Sequence, residues 1–169
     1  MIMASQPAPV SDIPSFRFTF DVDSSQMAVR GALLRLRGAL SPLSLEPEEL
    51  ETLELVLAEI LNNIVEHAYA DHRPGDTITV SGEHRTDGLH LRIRDRGKAM
   101  PNGQPPLGRP AFGIPRCGAE RLPEGGFGWP LIRDLARDLC YRRLDGENTL
   151  DLRVAIARQS RADGSPPRC

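Results

Sequence analysis

The hydrophobic positions of this chain follow two alternating periods, and each change of period predicts a new element. Near the start, Phe16, Phe18 and Phe20 alternate with polar residues, which is the period of two of a half-buried strand. Two stretches with the period of an amphipathic helix follow, over about residues 23–40 and 46–69. The second stretch begins with a proline and several glutamates, which favour the first turn of a helix.

The second half of the chain returns to the period of two. It predicts strands around residues 77–81 and 89–94, joined by a hairpin turn at residues 86–88. The segment 97–126 is rich in glycine and proline and has no period, and its length indicates a functional or a mobile segment rather than an ordinary connection. A helix over about 127–137 and two more alternating strands complete the chain.

The order of these elements predicts the fold class. Hairpin-linked strands with helices between them are typical of an α+β fold, a two-layer sandwich in which a mixed, mostly antiparallel sheet carries helices on one face. We expect one globular domain over residues 15–157, with flexible tails at 1–14 and 158–169, where the sequence is polar and punctuated by proline.

Composition excludes several classes of function. The 169 residues suit one domain, and 21 basic against 23 acidic residues leave a net charge of -2, which provides no general attraction to nucleic acid. No apolar run could cross a bilayer, and the first residues lack the features of a signal peptide, so we expect a cytoplasmic protein without membrane contact. The three cysteines lie far apart and form no C-x-x-C, which supports neither a disulfide framework nor a zinc site.

The first cluster of candidate chemistry lies on the second predicted helix. Glu59, Asn63 and His67 are spaced by four residues and therefore lie on one side of the helix. A carboxylate among so many apolar neighbours costs free energy unless it is paired or used. The same spacing is also that of an ordinary solvent-facing stripe, so the stripe alone leaves both interpretations open.

Two further clusters lie at the ends of the long loop. Asp95 and Gly97 follow a predicted strand, where a carboxylate could accept a hydrogen bond from an amino group and a glycine could let the backbone approach a flat ring; a strand-ending turn explains them equally well. The run 125–128, Gly-Gly-Phe-Gly, precedes a helix and could bind phosphate through backbone N–H groups, or serve as a hinge. The absence of a strand directly before it disfavours a dinucleotide-binding Rossmann motif, and no P-loop motif is present.

The order of the three clusters is more specific than any one of them. E-x-x-x-N-x-x-x-H-A-Y on a helix, D-x-G after a strand and G-G-x-G before a helix resemble the Bergerat-type ATP-binding fold of gyrase, heat-shock ATPase chaperones, histidine kinases and mismatch-repair ATPases. Within that superfamily, the small size and the stretch from Asn63 to Tyr69 resemble the anti-sigma-factor serine/threonine kinases. The resemblance covers residues 16–156.

The resemblance implies a role for individual residues. Glu59 would act as the catalytic carboxylate on a serine or threonine hydroxyl, and Asn63 would bind Mg²⁺ beside the phosphates of ATP. Asp95 would accept from the exocyclic amine of adenine while Gly97 lets the ring approach. Thr149 would lie beside Asp95 and a bridging water.

The long loop matches the ATP lid of the family, over about residues 98–126. Gly126 and Gly128 would wrap the phosphates, whereas we expect a structural role for His67. Ala99 departs from the D-x-G-x-G pattern of the wider superfamily, because it stands where the second glycine would be. This departure could stiffen the hinge of the lid.

The resemblance also implies partners and an activity. The protein would bind a sigma factor, hold it inactive, and phosphorylate a small STAS-type anti-anti-sigma protein on serine or threonine. It would act as a homodimer, with the Phe16 strand and the first helix as the surface facing the second copy or the sigma factor. One alternative is a non-catalytic ATP-binding regulatory module. Another is a detached histidine-kinase-like ATPase domain, which would need a phospho-acceptor histidine on a helical hairpin, and none of the four histidines lies on one.

Overall fold

The computed structural model describes residues 16–69, 75–106 and 128–156, which form one sheet with helices packed against it. The strands are β1 (Arg17–Asp23), β2 (Thr77–Arg85), β3 (Gly88–Asp95), β4 (Ala136–Leu144) and β5 (Glu147–Val154). The helices are α1 (Gln26–Leu40), α2 (Pro47–Asn63) and α3 (Gly128–Leu135). The elements follow one another in the predicted order, and the predicted α+β fold class is confirmed.

The strands lie in the order β1-β2-β3-β5-β4, and each neighbouring pair is antiparallel. Turns of two residues join β2 to β3 and β4 to β5, a connection that only antiparallel neighbours allow. The described sheet is therefore simpler than the mixed sheet that the sequence predicted, because these pairings include no parallel crossover.

The core lies between one face of the sheet and the helices. On β3 the side chains of Leu89, Leu91 and Ile93 are buried, whereas Arg92 and Arg94, which follow Leu91 and Ile93, are exposed on the other face. Each fully buried leucine or isoleucine contributes about 1.5–3 kcal/mol, so this alternation fixes which face of the sheet packs on the helices. No helix in the described ranges is long and apolar enough to span a membrane.

The helix starts follow from local sequence. The Ser25 hydroxyl accepts a hydrogen bond from the Ala28 N–H at 3.2 Å and caps α1. At the start of α2, Glu46 and Glu49 form a reciprocal capping box around the first turn, which also holds Pro47. The two helices thus begin within a few residues of their predicted starts at about 23 and 46.

The predicted second helix changes its geometry before it ends. The α-helical part of α2 stops at Asn63, and the residues Ile64–Ala68 form a π-helical turn. The Tyr69 N–H bonds the carbonyl oxygen of Ile64 at 3.1 Å, five residues back rather than four. The stripe of Glu59, Asn63 and His67 predicted on a continuous α-helix therefore does not extend to His67, which is exposed in the wider turn.

The third helix is shorter than predicted, and β4 follows it directly at Ala136. An irregularity in the pairing with β5 lies between Arg137 and Cys140, where Asp138 has a positive φ of 55°. Beyond it, Tyr141 and Arg143 both reach the buried Asn148 of β5. The irregularity thus precedes the part of β4 that contacts Asn148.

Candidate functional site

Two polar side chains lie one turn apart near the end of α2. Glu59 and Asn63 are both partly buried, and Asn63 Nδ2 donates a hydrogen bond to the backbone carbonyl oxygen of Glu59 at 2.6 Å. This bond occupies the amide nitrogen, and no donor in the described ranges reaches Asn63 Oδ1 or the Glu59 carboxylate. A carboxylate and an amide oxygen are therefore available to a ligand at the same point of the helix.

The start of α3 approaches these two side chains closely. A Cβ added to Gly128 would lie 2.5 Å from Glu59 Oε2 and 3.3 Å from Asn63 Nδ2. The first distance is shorter than Cβ contacts in real proteins, so only glycine fits while Glu59 keeps this position. Because the first N–H groups of a helix have no partner within it, the start of α3 can bring anion-binding backbone to the carboxylate and the amide.

The π-helical turn joins this end of α2 to the residues after β3. The buried hydroxyl of Tyr69 accepts a hydrogen bond from the Arg96 N–H at 2.7 Å and donates one to the Thr77 carbonyl oxygen at 3.2 Å. The Lys98 N–H donates to the Ala68 carbonyl oxygen at 2.9 Å. These bonds hold the turn after β3 against the end of α2.

Gly97 is required at this junction for packing. A Cβ at this position would lie 2.6 Å from the Ala68 Cβ and 2.7 Å from the Ala68 carbonyl oxygen. The sequence analysis assigned Gly97 to the approach of a flat ring, and the structure adds this packing constraint. The glycine therefore brings two backbone segments together beside Asp95.

Asp95 is a buried carboxylate, and one of its two oxygens accepts hydrogen bonds from neighbouring residues. Its Oδ1 accepts a hydrogen bond from the Gly97 N–H at 2.9 Å and another from Asn148 Nδ2 at 2.7 Å. No described residue donates to Oδ2. Burial raises the pKa of Asp95 above that of an ordinary aspartate, while the two hydrogen bonds and the positive charge of Arg143 oppose the rise.

Asn148 is as deeply buried as Asp95 and lies directly opposite it in the β3–β5 pairing. Its Oδ1 accepts from the Tyr141 hydroxyl at 2.7 Å and from Arg143. The Tyr141 hydroxyl in turn accepts from the Met100 N–H at 3.1 Å. The network therefore connects Asp95 to β4 and to the first residues of the long loop.

The structure places five of the predicted site residues in two groups, which the end of α2 connects. Glu59, Asn63 and Gly128 form one group of contacts, and the π-helical turn connects α2 to a second group at Asp95 and Gly97. Their assignment to catalysis and to binding stays a prediction.

Two expectations concern the lid and the phosphates. Gly126 lies outside the described residues, as does the greater part of the predicted lid. Of that loop the structure describes residues 98–106, and Arg133 of α3 donates to the Pro105 carbonyl oxygen at 2.9 Å. The described start of the loop is thus tied to the helix that follows it.

The expected placement of Thr149 beside Asp95 is corrected by the strand register. Thr149 is paired with Arg94, and its side chain lines a cavity of about 460 Å³ with exposed arginines of the outer sheet face. Asn148 occupies the position opposite Asp95 instead. Because side chains alternate along a strand, a shift of one residue moves Thr149 to the other face of the sheet.

Sequence reasoning missed the residues that hold Asp95. Asn148 stands in a stretch rich in turn-forming residues, Tyr141 has the spacing of an ordinary strand residue, and Tyr69 ends a helical pattern. Each contributes through a partner that is distant in sequence, so local pattern alone gave no indication of its role. The pairing of β3 with β5 would have been needed to find Asn148, the pairing of β4 with β5 to find Tyr141, and the contacts of the turn after β3 to find Tyr69.

Comparison with known proteins identifies the family of this chain. Residues 22–154 match the family model of the histidine kinase-like ATPase domain. The chain therefore belongs to the family of histidine kinase-like ATPase domains.

Similar proteins place it more narrowly within that family. Serine/threonine-protein kinase BtrW of Bordetella bronchiseptica is 35% identical over 113 residues, which cover 64% of this chain and 72% of the relative. Serine-protein kinase RsbW of Oceanobacillus iheyensis is 31% identical over 108 residues, covering 64% and 67%. RsbW of Bacillus cereus strain Q1 is 27% identical over 135 residues, covering 79% and 81%. These relatives confirm the resemblance to the anti-sigma-factor serine/threonine kinases.

A solved structure shares the fold. The RsbU and RsbW domains of a Mycobacterium tuberculosis protein match with a TM-score of 0.57 and 18% identity, over 86% of this chain and 34% of that one. This chain thus spans about a third of the length of that protein. At this identity the likeness supports the fold alone.

Proposed function

We propose that this chain is an ATP-dependent serine/threonine protein kinase and anti-sigma factor that phosphorylates an anti-anti-sigma partner. The observation that carries the proposal is the group formed by Glu59, Asn63 and Gly128. It combines a carboxylate, an amide oxygen and the start of a helix, with neither oxygen group engaged within the described residues. Phosphoryl transfer depends on positioning and on charge neutralisation, and these are the groups it requires.

Asp95 and Gly97 provide the place for the base. The unengaged Oδ2 of Asp95 can accept a hydrogen bond from the exocyclic amine of adenine, because a carboxylate is an acceptor only. The π-helical turn connects this carboxylate to the Glu59 end of α2, so a nucleotide could lie along the helix with its phosphates under Gly128. Gly126 would join the phosphate-binding backbone, as the resemblance implies.

The residues present also fit a magnesium ion held together with ATP. In the described residues no three His, Cys, Asp or Glu side chains come together as a metal site, so a cation here would take most of its ligands from phosphate oxygens and water. Asn63 Oδ1 supplies one hard oxygen ligand at the right place. When bound, Mg²⁺ would neutralise charge on the phosphates during transfer.

Glu59 would act on the hydroxyl of the protein substrate. As the serine or threonine oxygen bonds to the γ-phosphorus, its O–H bond breaks and the proton passes to the Glu59 carboxylate. The bond between the γ-phosphorus and the β–γ bridging oxygen breaks, and ADP leaves. Because Gly128 has no Cβ, the carboxylate can occupy this position beside the start of α3.

The partners follow from the same proposal. We infer that a sigma factor and a STAS-type anti-anti-sigma protein compete for the chain, and that it acts as a homodimer. The names of the relatives, which are serine or serine/threonine kinases, support a hydroxyl acceptor rather than a histidine.

The test is transfer of labelled phosphate from ATP and Mg²⁺ to an anti-anti-sigma protein of the same genome. Glu59→Gln keeps the shape of the side chain but cannot take the proton, so we expect the rate to fall about 10²- to 10⁴-fold while ATP still binds. The matched control is Glu51→Gln, at an exposed position of the same helix, which should transfer like the wild type.

Two results would contradict the proposal. Wild-type rates in Glu59→Gln would remove the catalytic assignment. ATP binding by the wild type without transfer to the partner protein would instead favour a regulatory module that binds ATP without using it.

A further inference from the structure

Asn148 is a buried amide whose hydrogen-bonding groups are all engaged. It is 3% exposed at the start of β5, and Nδ2 donates to Asp95 Oδ1 at 2.7 Å and to the Lys98 carbonyl oxygen at 3.1 Å. Its Oδ1 accepts from the Tyr141 hydroxyl and from Arg143. An amide with both ends engaged has one orientation.

The identity of these partners determines which end of the amide faces Asp95. A guanidinium has donors only, so Arg143 can pair with the oxygen of the amide but not with its nitrogen. The nitrogen must then point toward Asp95, where an ionised carboxylate can only accept. The backbone N–H of Gly97 donates to the same oxygen of Asp95 at 2.9 Å.

We propose that Asn148 is a positioning residue that makes the site selective for a purine with an exocyclic amine. With Oδ1 held by two N–H donors, Asp95 presents Oδ2 to the base as an acceptor in a fixed direction. A 6-amino purine donates to that oxygen, whereas a 6-oxo purine brings an acceptor against an acceptor in a buried place, which costs binding free energy. This inference rests on the proposed function, because it requires that ATP binds here.

The experiment compares ATP with inosine triphosphate, which differs in carrying oxygen instead of the amine at position 6. Dissociation constants of both are measured with Mg²⁺ on the full chain, for the wild type and for Asn148→Ala. Without the amide, the Asp95 carboxyl is free to turn or to take up a proton and donate to the oxygen of the base. We expect the ratio of the inosine triphosphate constant to the ATP constant to fall about 10- to 100-fold, the size of a hydrogen bond to a charged group.

The matched control is Asp151→Asn on the same strand. Asp151 lies on the outer sheet face, where it accepts hydrogen bonds from Arg92 and Arg142, so its replacement perturbs β5 without touching Asp95. The ratio should stay at the wild-type value. If Asn148→Ala does not fold, Tyr141→Phe removes one of the two donors that orient the amide and should lower the ratio by a smaller factor.

The possible results distinguish the inference about Asn148 from the proposed function on which it rests. A folded Asn148→Ala variant that loses affinity for both nucleotides by the same factor would overturn the inference, because a purely structural role weakens the site without changing its preference. A wild type that binds both nucleotides equally would overturn the inference and leave ATP binding intact. A wild type that binds no ATP would refute the proposed function itself, and the inference with it.

Discussion

Replacing Gly128 by alanine tests the group of contacts on which the proposed catalysis depends. The added Cβ would lie 2.5 Å from Glu59 Oε2, and ordinary van der Waals contact begins at 3.4 Å, so the carboxylate must move by about 0.9 Å. The atom it meets is the end of a flexible side chain, which can turn away without disturbing the core. Alanine also favours the helix over glycine by up to about 1 kcal/mol. We therefore expect the variant to fold at least as well as the wild type.

The substitution should instead lower the rate of phosphate transfer. A displacement of about 1 Å in a catalytic group reduces rates by about 10²-fold, which corresponds to about 2.7 kcal/mol in the activation free energy. The assay is phosphate transfer at saturating partner protein, together with thermal unfolding of the same preparation. Stability unchanged or raised, with transfer about 10²-fold slower, is the expected result.

Gly31→Ala provides the matched control. Gly31 lies within α1, and a Cβ there would have no heavy atom within 4 Å, so the change adds helix propensity without a collision. We expect a gain of about 0.5–1 kcal/mol, a rise of a few degrees in Tm, and an unchanged transfer rate. Transfer by Gly128→Ala as fast as by Gly31→Ala would refute the assignment of the Glu59–Gly128 contact to the active site.

Three further predictions concern the other end of the site. Burial raises the pKa of Asp95, so the wild type gains stability as the pH falls through that raised value toward the ordinary value near 3.9. In urea unfolding, Asp95→Asn should therefore be more stable than the wild type at neutral pH and lose that advantage on acidification. The same variant should bind ATP more weakly. Tyr69→Phe leaves the Arg96 N–H and the Thr77 carbonyl oxygen without their partner and should lower the free energy of unfolding by about 1–3 kcal/mol in the same assay. Thr149→Ala should leave the ATP dissociation constant measured by calorimetry unchanged, and a clear loss would show that the outer sheet face contributes to binding.

The fold could be predicted because its main determinants are local. The periods of two and of 3.6, the capping residues before α1 and α2 and the two hairpin turns lie within short windows of sequence and specify the order of the elements. The π-helical turn could not be predicted in this way. It depends on the hydrogen-bond partners of the Tyr69 hydroxyl, which are Thr77 at the start of β2 and Arg96 directly after β3.

The candidate site also has one part that local sequence predicts and one part that it does not. Glu59 and Asn63 are one turn apart on one helix, so their proximity follows from spacing alone. The residue opposite Asp95 instead depends on the register between β3 and β5. An error of one residue in that register would place Thr149 opposite Asp95 instead of Asn148, and would assign each β5 side chain to the wrong face of the sheet. No local pattern contains that register, because the long loop, α3 and β4 separate the two strands along the chain.

The two motif glycines that the structure describes differ in what surrounds them, and this difference separates folding from catalysis. At Gly97 an added Cβ meets the Cβ and the backbone of Ala68 at 2.6 and 2.7 Å, and neither can turn aside, so the junction between α2 and β3 would have to open. At Gly128 the nearest atom is a carboxylate oxygen that can rotate away. A substitution at Gly97 therefore removes stability and binding together, whereas one at Gly128 changes the reaction in a protein that still folds. Only the Gly128 variant can show whether the carboxylate position itself determines the rate.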